Sequence, residues 1–284
     1  MSAAETIRKP SGISKLAIIA GAGGLPVQLA ARVKSQGVEP LIVAVKGQTD
    51  KDFVSDYPHV WVRIGAAGAM IKALKKNDVK DIVMIGAMKR PRFWELWPDF
   101  RAFLFYTRIG FRALGDNGLL SAVRKELEHE GFHLHGIHKF LPELLTAEGC
   151  LTAVRPSVED TETIRLGLRE SQRIGMADIG QAVIVEGDQV LGLEDKKGTN
   201  ALIRRVQPSG HETAILVKTC KPQQDRDLDL PTIGPATVEN CMRAGVKGII
   251  IEAGAGLVSE REKLVELANR YGIFVCAVNI RDYL

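Results

Sequence analysis

The fold is decided by LAIIA (residues 16–20), which is followed at once by GAGGLP (21–26). A short apolar run that ends in a glycine-rich turn is typical of a strand buried on both faces. A helix is expected next, and it should end near Gly37, because glycine suits a helix C-terminus. A strand, a tight loop and a helix in succession indicate the start of a parallel α/β unit.

The same alternation continues through the first half of the chain. Further strands are predicted at PLIVAV (40–45), WVRIG (61–65) and DIVMIGAM (81–88), and helices at 67–76 and 115–131. Strands that alternate with helices favour a mainly parallel sheet covered by helices. We therefore predict a Rossmann-like α/β domain over residues 1–145.

A second α/β domain, residues 158–284, is predicted after a linker at 146–157. The linker lies in LPELLTAEGCLTAVRPS (141–157), which lacks clear periodicity and ends in Arg-Pro-Ser. The elements predicted beyond it are a helix to Gly175, a hairpin at 181–194 turning at Gly187-Asp188, a helix after Gly198, strands at 213–220, 248–254 and 273–278, a helix at 235–244, and a helix after Ser259. Ser157 with Asp160, and Ser259 with Glu262, are expected to cap the first and last of these helices.

Composition is that of an ordinary globular protein. The chain has 284 residues, a net charge of +4 and no apolar run of the roughly 20 residues that would span a bilayer. The mild charge argues against a nucleic-acid-binding protein, and the N-terminus lacks a signal-peptide pattern, so we expect a cytoplasmic protein. The cysteines form no C-x-x-C pair and are interpreted as small buried thiols in a reducing compartment: Cys150, Cys220, Cys241 and Cys276.

The loop Gly21-Ala-Gly-Gly-Leu-Pro lies where backbone N–H groups and a helix N-terminus can receive a phosphate. Gly21, Gly23 and Gly24 are therefore candidate ligand-binding residues. A tight strand–helix turn is the alternative. Pro26 replaces the third glycine of G-x-G-x-x-G, and no acidic residue ends the second strand, so a nicotinamide enzyme is not favoured.

The segment KRPRFWELWPDFRAFLFYTRIGFR (89–112) contains half of the chain's sixteen aromatic residues, interleaved with five arginines that include Arg90. Aromatic and basic residues together suit acyl chains beneath anionic head groups, or a membrane surface. A helix whose aromatic side chains pack inward and a surface that stacks nucleic acid bases are the alternatives. We favour the lipid-facing surface.

Four histidines lie close together in the sequence: His129, His133, His135 and His138. Their spacing does not match H-E-x-x-H, and only His133 and His135 would share a strand face. We place His129 at a helix end and interpret the other three as exposed strand residues, and not as a metal site. No ordered Ser-His-Asp signal indicates a triad hydrolase either.

The stretch KPQQDRDLDLPTIGP (221–235) places Asp225, Asp227 and Asp229 at every second position. If it is extended, the three carboxylates point to one side, about 7 Å apart, and require a cation or basic partner. Leu230 stands where an EF-hand needs glycine, so a calcium loop is rejected. Mg²⁺ fits better, because it takes one or two carboxylates together with phosphate oxygens. A solvated acidic loop is the alternative.

Nearby residues complete a possible phosphate site. Lys218 and Arg226 could neutralise charge on a phosphoryl group, and the helix that begins at Pro235 offers an N-terminus to an anion. Glu252 ends a strand, where ligands collect in α/β folds. Gly198-Thr199-Asn200 opens another helix and is a weaker candidate.

Seven segments occur in the order found in one known family: AIIAGAGGLP (17–26), IGAMKRP (85–91), LPELL (141–145), IGQAVIVEG (179–187), GTN (198–200), QDRDLDLPTIGPATVE (224–239) and IIIEAG (249–254). The chain resembles the LpxI-type UDP-2,3-diacylglucosamine pyrophosphatases of lipid A synthesis nearly end to end. The most specific part is the Q-D-x-x-x-D-L-P-x-I-G segment that begins at Gln224.

The resemblance implies hydrolysis of UDP-2,3-diacylglucosamine to UMP and 2,3-diacylglucosamine 1-phosphate (lipid X), with Mg²⁺ or Mn²⁺. It also implies a homodimer that acts at the cytoplasmic face of the inner membrane, with the second domain catalytic. Asp225 falls on the family's essential aspartate. With the reasoning above, we assign Asp225 and Asp229 as metal ligands or catalytic carboxylates, and Lys218 and Arg226 as charge stabilisers.

The candidate substrate-binding residues are Gly21, Gly23, Gly24, Arg90, Gln181, Gly198, Thr199, Asn200, Gln224, Thr232 and Glu252. The chain departs from the family pattern where Lys197 and Asn200 replace the acidic ends of E-G-T-D, and where Asp227 replaces a basic residue.

A nucleotide-sugar-binding or lipid-binding protein without catalysis is the alternative function. A single-strand nucleic-acid binder is a further rival, and it would show strongly salt-dependent affinity.

Overall fold

The computed structural model describes residues 12–88, 116–209 and 213–284, with the backbone alone for residues 116–120. The chain divides into two compact units. The first contains the described residues up to Pro142 together with Asp227–Asp229. The second contains Glu143–Arg226 and Leu230–Leu284. Three residues from the second half of the sequence therefore belong to the first unit.

The first unit is built on a five-stranded sheet of the described residues in which all strands are parallel. Its strands are β1 (Lys15–Ala20), β2 (Glu39–Val45), β3 (His59–Val62), β4 (Asp81–Ile85) and β5 (His133–Leu134). They lie side by side in the order β3-β2-β1-β4-β5. From β1, the strands β2 and β3 are added on one side and β4 and β5 on the other, so the strand order reverses between β1 and β4. The Rossmann-like, mainly parallel sheet is confirmed, and LAIIA occupies its centre, where both faces are covered.

Helices connect these strands, as the alternating pattern predicts. They are α1 (Gly24–Ser35), α2 (Lys51–Ser55), α3 (Ala67–Lys76) and α4 (Asp116–His129). In α3, Ile71 and Leu74 are buried, and they join a core that includes Val43 and Ile82 of the sheet. Leu228 packs against the same core from outside the first half of the chain.

The second unit contains a six-stranded mixed sheet. Its strands are β6 (Gly149–Cys150), β7 (Ala182–Glu186), β8 (Gln189–Leu193), β9 (Ala214–Lys218), β11 (Val246–Glu252) and β13 (Phe274–Val278), in the order β6-β13-β11-β9-β7-β8. β9, β11 and β13 are parallel, and the outer pairings are antiparallel. A separate pair joins β10 (Thr232–Ile233) to β12 (Leu257–Val258). This sheet confirms a second α/β domain.

The helices of the second unit are α5 (Asp160–Met176), α6 (Thr199–Arg205), α7 (Pro235–Arg243) and α8 (Arg261–Arg270). The predicted hairpin is confirmed, since β7 and β8 pair across Gly187, which has a φ of +55°. The cap predicted for α5 is wrong, because Glu159 precedes the helix and no side chain caps its first turn. The Asp160 carboxylate instead accepts hydrogen bonds from the Ser157 N–H at 2.8 Å and from its hydroxyl at 3.0 Å. Within the described parts of the chain, no helix has the length and apolar character needed to cross a membrane.

The cap predicted for α8 is wrong. Glu260 precedes the helix in a left-handed conformation, and no side chain caps the first turn. The Ser259 hydroxyl instead donates to the Ile233 carbonyl oxygen at 3.2 Å. Ser259 follows β12, which pairs with β10. This pairing places the Ser259 hydroxyl next to Ile233 of β10, where it forms its hydrogen bond.

Two predictions about residues 146–157 and the cysteines need correction. Gly149–Cys150, inside the segment interpreted as a linker, forms β6 and pairs with β13. That pairing sets Cys150 opposite Cys276, and the two form a disulfide across a sequence separation of 126 residues. The interpretation of all four cysteines as free thiols is therefore wrong for this pair. Cys220 and Cys241 are free and buried, as expected.

Candidate active site

Several predicted site residues meet at one edge of the second sheet. β9 and β11 are parallel, so the residues after Lys218 and the end of β11 at Glu252 lie at the same edge. β7 runs antiparallel to β9, with Ala182 opposite Lys218, and this brings Gln181 there as well. The carboxyl ends of parallel strands are where ligands bind in α/β folds.

Lys218 is buried at this edge, with 8% of its surface exposed. Its ammonium group donates to the Thr232 carbonyl oxygen at 3.0 Å, and the Thr232 hydroxyl donates to the Leu230 carbonyl oxygen at 3.1 Å. A buried cation is costly unless it is partnered, so the site holds this positive charge in a defined place. The charge can stabilise an anion that approaches the strand ends.

Glu252 is largely buried beside it. One carboxylate oxygen accepts the Cys220 N–H at 2.9 Å, and the other lies 3.3 Å from Arg226 Nη2. Burial raises the pKa of Glu252 above its ordinary value, although the Cys220 hydrogen bond and the Arg226 charge oppose the shift. Arg226 is itself exposed, with 62% of its side-chain surface accessible.

Glu194 is a member of this edge that the sequence reasoning missed. It is buried, and its carboxylate accepts the Gln181 N–H at 2.8 Å and the Thr199 hydroxyl at 2.6 Å. One side chain thus joins two predicted binding residues from separate elements. Among the described residues, no donor reaches the buried Gln181 Oε1. An acidic residue at the end of a hairpin strand was the available signal for Glu194.

The Gly198-Thr199-Asn200 turn begins α6. Gly198 has a φ of +83°, which glycine adopts readily, and its carbonyl oxygen accepts the first hydrogen bonds of the helix. Asn200 Oδ1 accepts a hydrogen bond from Asn240 Nδ2 at 3.2 Å and so links α6 to α7. Asn200 is thereby placed at a helix–helix contact within the second unit.

The carboxylate stretch is not extended. Residues 226–228 form a turn, so the condition under which the three Asp side chains would point to one side is not met. Gln224 is buried, and its amide oxygen accepts the Lys221 N–H at 3.0 Å. Asp225, which belongs to the second unit, is half-buried, whereas Asp229, which belongs to the first, is exposed.

The reason for the turn lies in Asp227. Its carboxylate accepts the Gly136 N–H at 3.2 Å and a hydrogen bond from Lys139 at 3.0 Å, all within the first unit. Burial alone would raise the pKa of Asp227, but the hydrogen bond and charge of Lys139, with the charge of Arg124, hold it below its ordinary value. Asp227 is therefore an ionised, paired carboxylate.

The glycine loop of the first unit follows β1 at the point where the strand order reverses. Gly21 is buried against Gly86, and a Cβ on Gly21 would lie 2.6 Å from the Ala87 carbonyl oxygen. Gly23 and Gly24 are exposed at the start of α1, with open space around both. Gly21 thus serves a close backbone approach, while Gly23 and Gly24 leave the helix N-terminus accessible.

His129 is the last residue of α4, as predicted, but the other three histidines do not form an exposed strand group. His133 is exposed in β5, but His135 Nε2 lies 2.7 Å from Asp81 Oδ1. His138 lies in a 3-10 turn at Ile137–Lys139 and is partly buried. In the described ranges, no three His, Cys, Asp or Glu side chains are grouped to hold a metal ion. Arg90 and the remainder of segment 89–112, up to residue 115, lie outside the described residues.

Both halves of the chain match one known protein family. Residues 15–144 match the LpxI N-terminal domain model, and residues 147–276 match the LpxI C-terminal domain model. The chain is 35% identical over 277 residues to the UDP-2,3-diacylglucosamine pyrophosphatase LpxI of Caulobacter vibrioides, with 94% of this chain and 99% of that protein covered. The two matched regions and the full-length similarity show that the chain belongs to the LpxI family.

Proposed function

We propose that this protein hydrolyses the diphosphate of UDP-2,3-diacylglucosamine, giving UMP and 2,3-diacylglucosamine 1-phosphate in lipid A biosynthesis. The observation that carries the proposal is the full-length similarity to a UDP-2,3-diacylglucosamine pyrophosphatase. The charged groups at the strand ends of the second unit support it, because diphosphate hydrolysis needs its developing negative charge neutralised.

Lys218 and Arg226 are proposed to supply that neutralisation. Lys218 is fixed by its bond to the Thr232 carbonyl oxygen, and Arg226 is directed by Glu252. A positioned cation costs no reorganisation when charge develops in the transition state, whereas a mobile one does. Gln181 and Thr199 are proposed to contact the substrate from the neighbouring edge, oriented by Glu194.

Asp225 and Asp229 are proposed to hold Mg²⁺ or Mn²⁺, with Asp225 as ligand or base. Mg²⁺ binds through one or two carboxylates, water and substrate phosphate, so it does not require a cluster of protein ligands. The ion would polarise a phosphoryl oxygen and favour deprotonation of an attacking water.

Contact with a membrane surface is proposed on the chemistry of the substrate. Two acyl chains keep a lipid-linked UDP-sugar in a bilayer, so the enzyme is expected to act at the cytoplasmic face of the inner membrane. Flotation with vesicles of anionic phospholipid would test this, with neutral vesicles as the control.

A homodimer is likewise proposed, and light scattering of the purified protein would test it.

The first experiment is UMP release from UDP-2,3-diacylglucosamine in detergent. We expect release with Mg²⁺, none with EDTA, and a loss of at least about 100-fold in kcat for Asp225→Ala, because removal of an essential charged group typically has this effect. Asp188→Ala, at the exposed hairpin tip, is the matched control and should retain activity. Substrate binding without release by the well-folded unmodified protein would contradict the proposal and favour a binding protein.

A further inference from the structure

Asp227 lies between the two proposed metal ligands, yet its carboxylate is directed to a different set of partners. Oδ1 accepts the Gly136 N–H at 3.2 Å, and Oδ2 accepts a hydrogen bond from Lys139 Nζ at 3.0 Å. Gly136 precedes the 3-10 turn Ile137–Lys139. Both partners are more than 85 residues away in sequence, so a tertiary contact sets the position of this aspartate.

Two more basic side chains complete the surroundings of Asp227. Arg124 Nη2, from α4, lies 3.5 Å from Oδ2, and His138 Nε2 lies 3.8 Å from Oδ1. The fit is close, because a Cβ on Gly136 would come within 2.9 Å of Oδ1. With 22% of its side chain exposed, Asp227 is partly shielded from water, which strengthens these interactions.

Leu228 adds an apolar contact. It packs against the core of the first unit, next to residues of the parallel sheet. A charged contact at residue 227 and an apolar one at residue 228 hold the segment by two independent means. The segment Asp227–Asp229 belongs to the first unit for this reason.

A metal-ligand role for Asp227 does not fit these contacts. Both of its oxygens accept hydrogen bonds, and three basic side chains surround it. Positive charge close to a carboxylate opposes the approach of a divalent cation. Asp229, two residues away in the same unit, is separated from it by at most about 7 Å of chain, so a shift at Asp227 would move it.

We propose that Asp227 is a positioning residue, which holds the segment Asp227–Asp229 through Arg124, Lys139 and the Gly136 amide so that Asp229 is placed for turnover. The catalytic part of this inference rests on the proposed function. Misplacement of a reacting group by about 1 Å can cost on the order of 100-fold in rate, so a modest shift is sufficient.

Asp227→Asn tests the proposal, because it keeps the shape of the side chain and removes the charge. We expect kcat for UMP release to fall by about 10-fold to 100-fold and the Mg²⁺ concentration for half-maximal activity to rise, because a proposed metal ligand would move, with KM nearly unchanged. Hydrogen exchange at the backbone amides of residues 225–230 should become faster. Glu130→Gln is the control, since it removes another ion pair of the first unit, that with Lys75, and should change neither readout.

A double-mutant cycle separates positioning from direct chemistry. If Asp227 acts through Lys139, the kcat of Lys139→Ala combined with Asp227→Ala should be close to that of Asp227→Ala alone. Multiplicative effects, an unchanged kcat in Asp227→Asn, or unchanged exchange in that variant would each overturn the proposal. If the unmodified protein releases no UMP, the proposed function fails, while the exchange measurement still decides whether Asp227 holds the segment.

Discussion

At the scale of single residues, the acidic side chains near the site differ in surroundings and therefore in behaviour. Glu252 is largely buried and accepts a hydrogen bond from the Cys220 N–H. Burial raises its pKa. Asp227 is buried to a similar degree, but basic neighbours lower its pKa. Glu194 accepts hydrogen bonds from an amide and a hydroxyl, and so serves to orient them. The partner of each carboxylate determines its role more than its residue type does.

Glu252→Gln should change stability in a pH-dependent way. Because the pKa of Glu252 is raised in the folded protein, the unfolded chain releases this proton first as pH increases. The stability that the protonated group contributes is therefore present in acid and is lost as pH rises through the folded pKa. Glutamine keeps an oxygen for the Cys220 N–H and does not ionise. We expect the variant to match the unmodified protein at about pH 4 and to be more stable at about pH 8.

Urea unfolding at both pH values would measure this difference. Glu239→Gln, at an exposed carboxylate of α7 paired with Arg243, is the control and should show little pH dependence. If Glu252→Gln is instead less stable at pH 8, the ion pair with Arg226 outweighs the cost of burial, and Glu252 stabilises the fold as an anion.

At the scale of elements, the junction of β1, its loop and α1 depends on two glycines with different roles. Gly21 contacts the backbone at Gly86, and the Gly21 and Ala22 N–H groups donate to the Ile85 and Ala87 carbonyl oxygens at 2.8 Å. Gly24 is the first residue of α1 and has open space where a Cβ would lie. One glycine is required by packing and the other is not.

Gly21→Ala should therefore destabilise the protein by about 1–3 kcal/mol, as overpacking typically does, because its Cβ would overlap the backbone of Gly86 and Ala87. Gly24→Ala is the matched control, and it should stabilise by up to about 1 kcal/mol through helix propensity. Denaturant unfolding of both variants measures the difference. Equal stability of the two variants would show that the β1 and β4 loops separate at little cost.

At the scale of the whole molecule, the disulfide joins the start of the second unit to its last strand. Cys150 and Cys276 close a loop across 126 residues of sequence. A cross-link over a long loop stabilises mainly by restricting the unfolded chain, typically by about 2–4 kcal/mol. The second sheet should consequently be more resistant to unfolding when the thiols are oxidised.

Reduction should lower the Tm of the protein. Calorimetry with and without a phosphine reductant would measure the shift, and the variant with both Cys150→Ala and Cys276→Ala should not respond to the reductant. A titration of accessible thiols under denaturing conditions would count two in the oxidised protein. Four thiols, or the same Tm in both conditions, would contradict the disulfide.

The amino-acid sequence by itself determined the longer strands and helices, their order and the family. Buried apolar runs, glycine turns and the Q-D-x-x-x-D-L-P-x-I-G motif are local signals, and neighbouring residues suffice to read them. Most of the predictions that failed concern contacts between distant residues. The turn at Asp227 depends on Gly136, Cys150 meets Cys276 only because β6 pairs with β13, and Ser259 bonds to β10. Glu194 is identified as a site residue only by its hydrogen bond from the Thr199 hydroxyl, which depends on the fold. These partners are chosen by the packing of the folded chain, which local patterns do not encode.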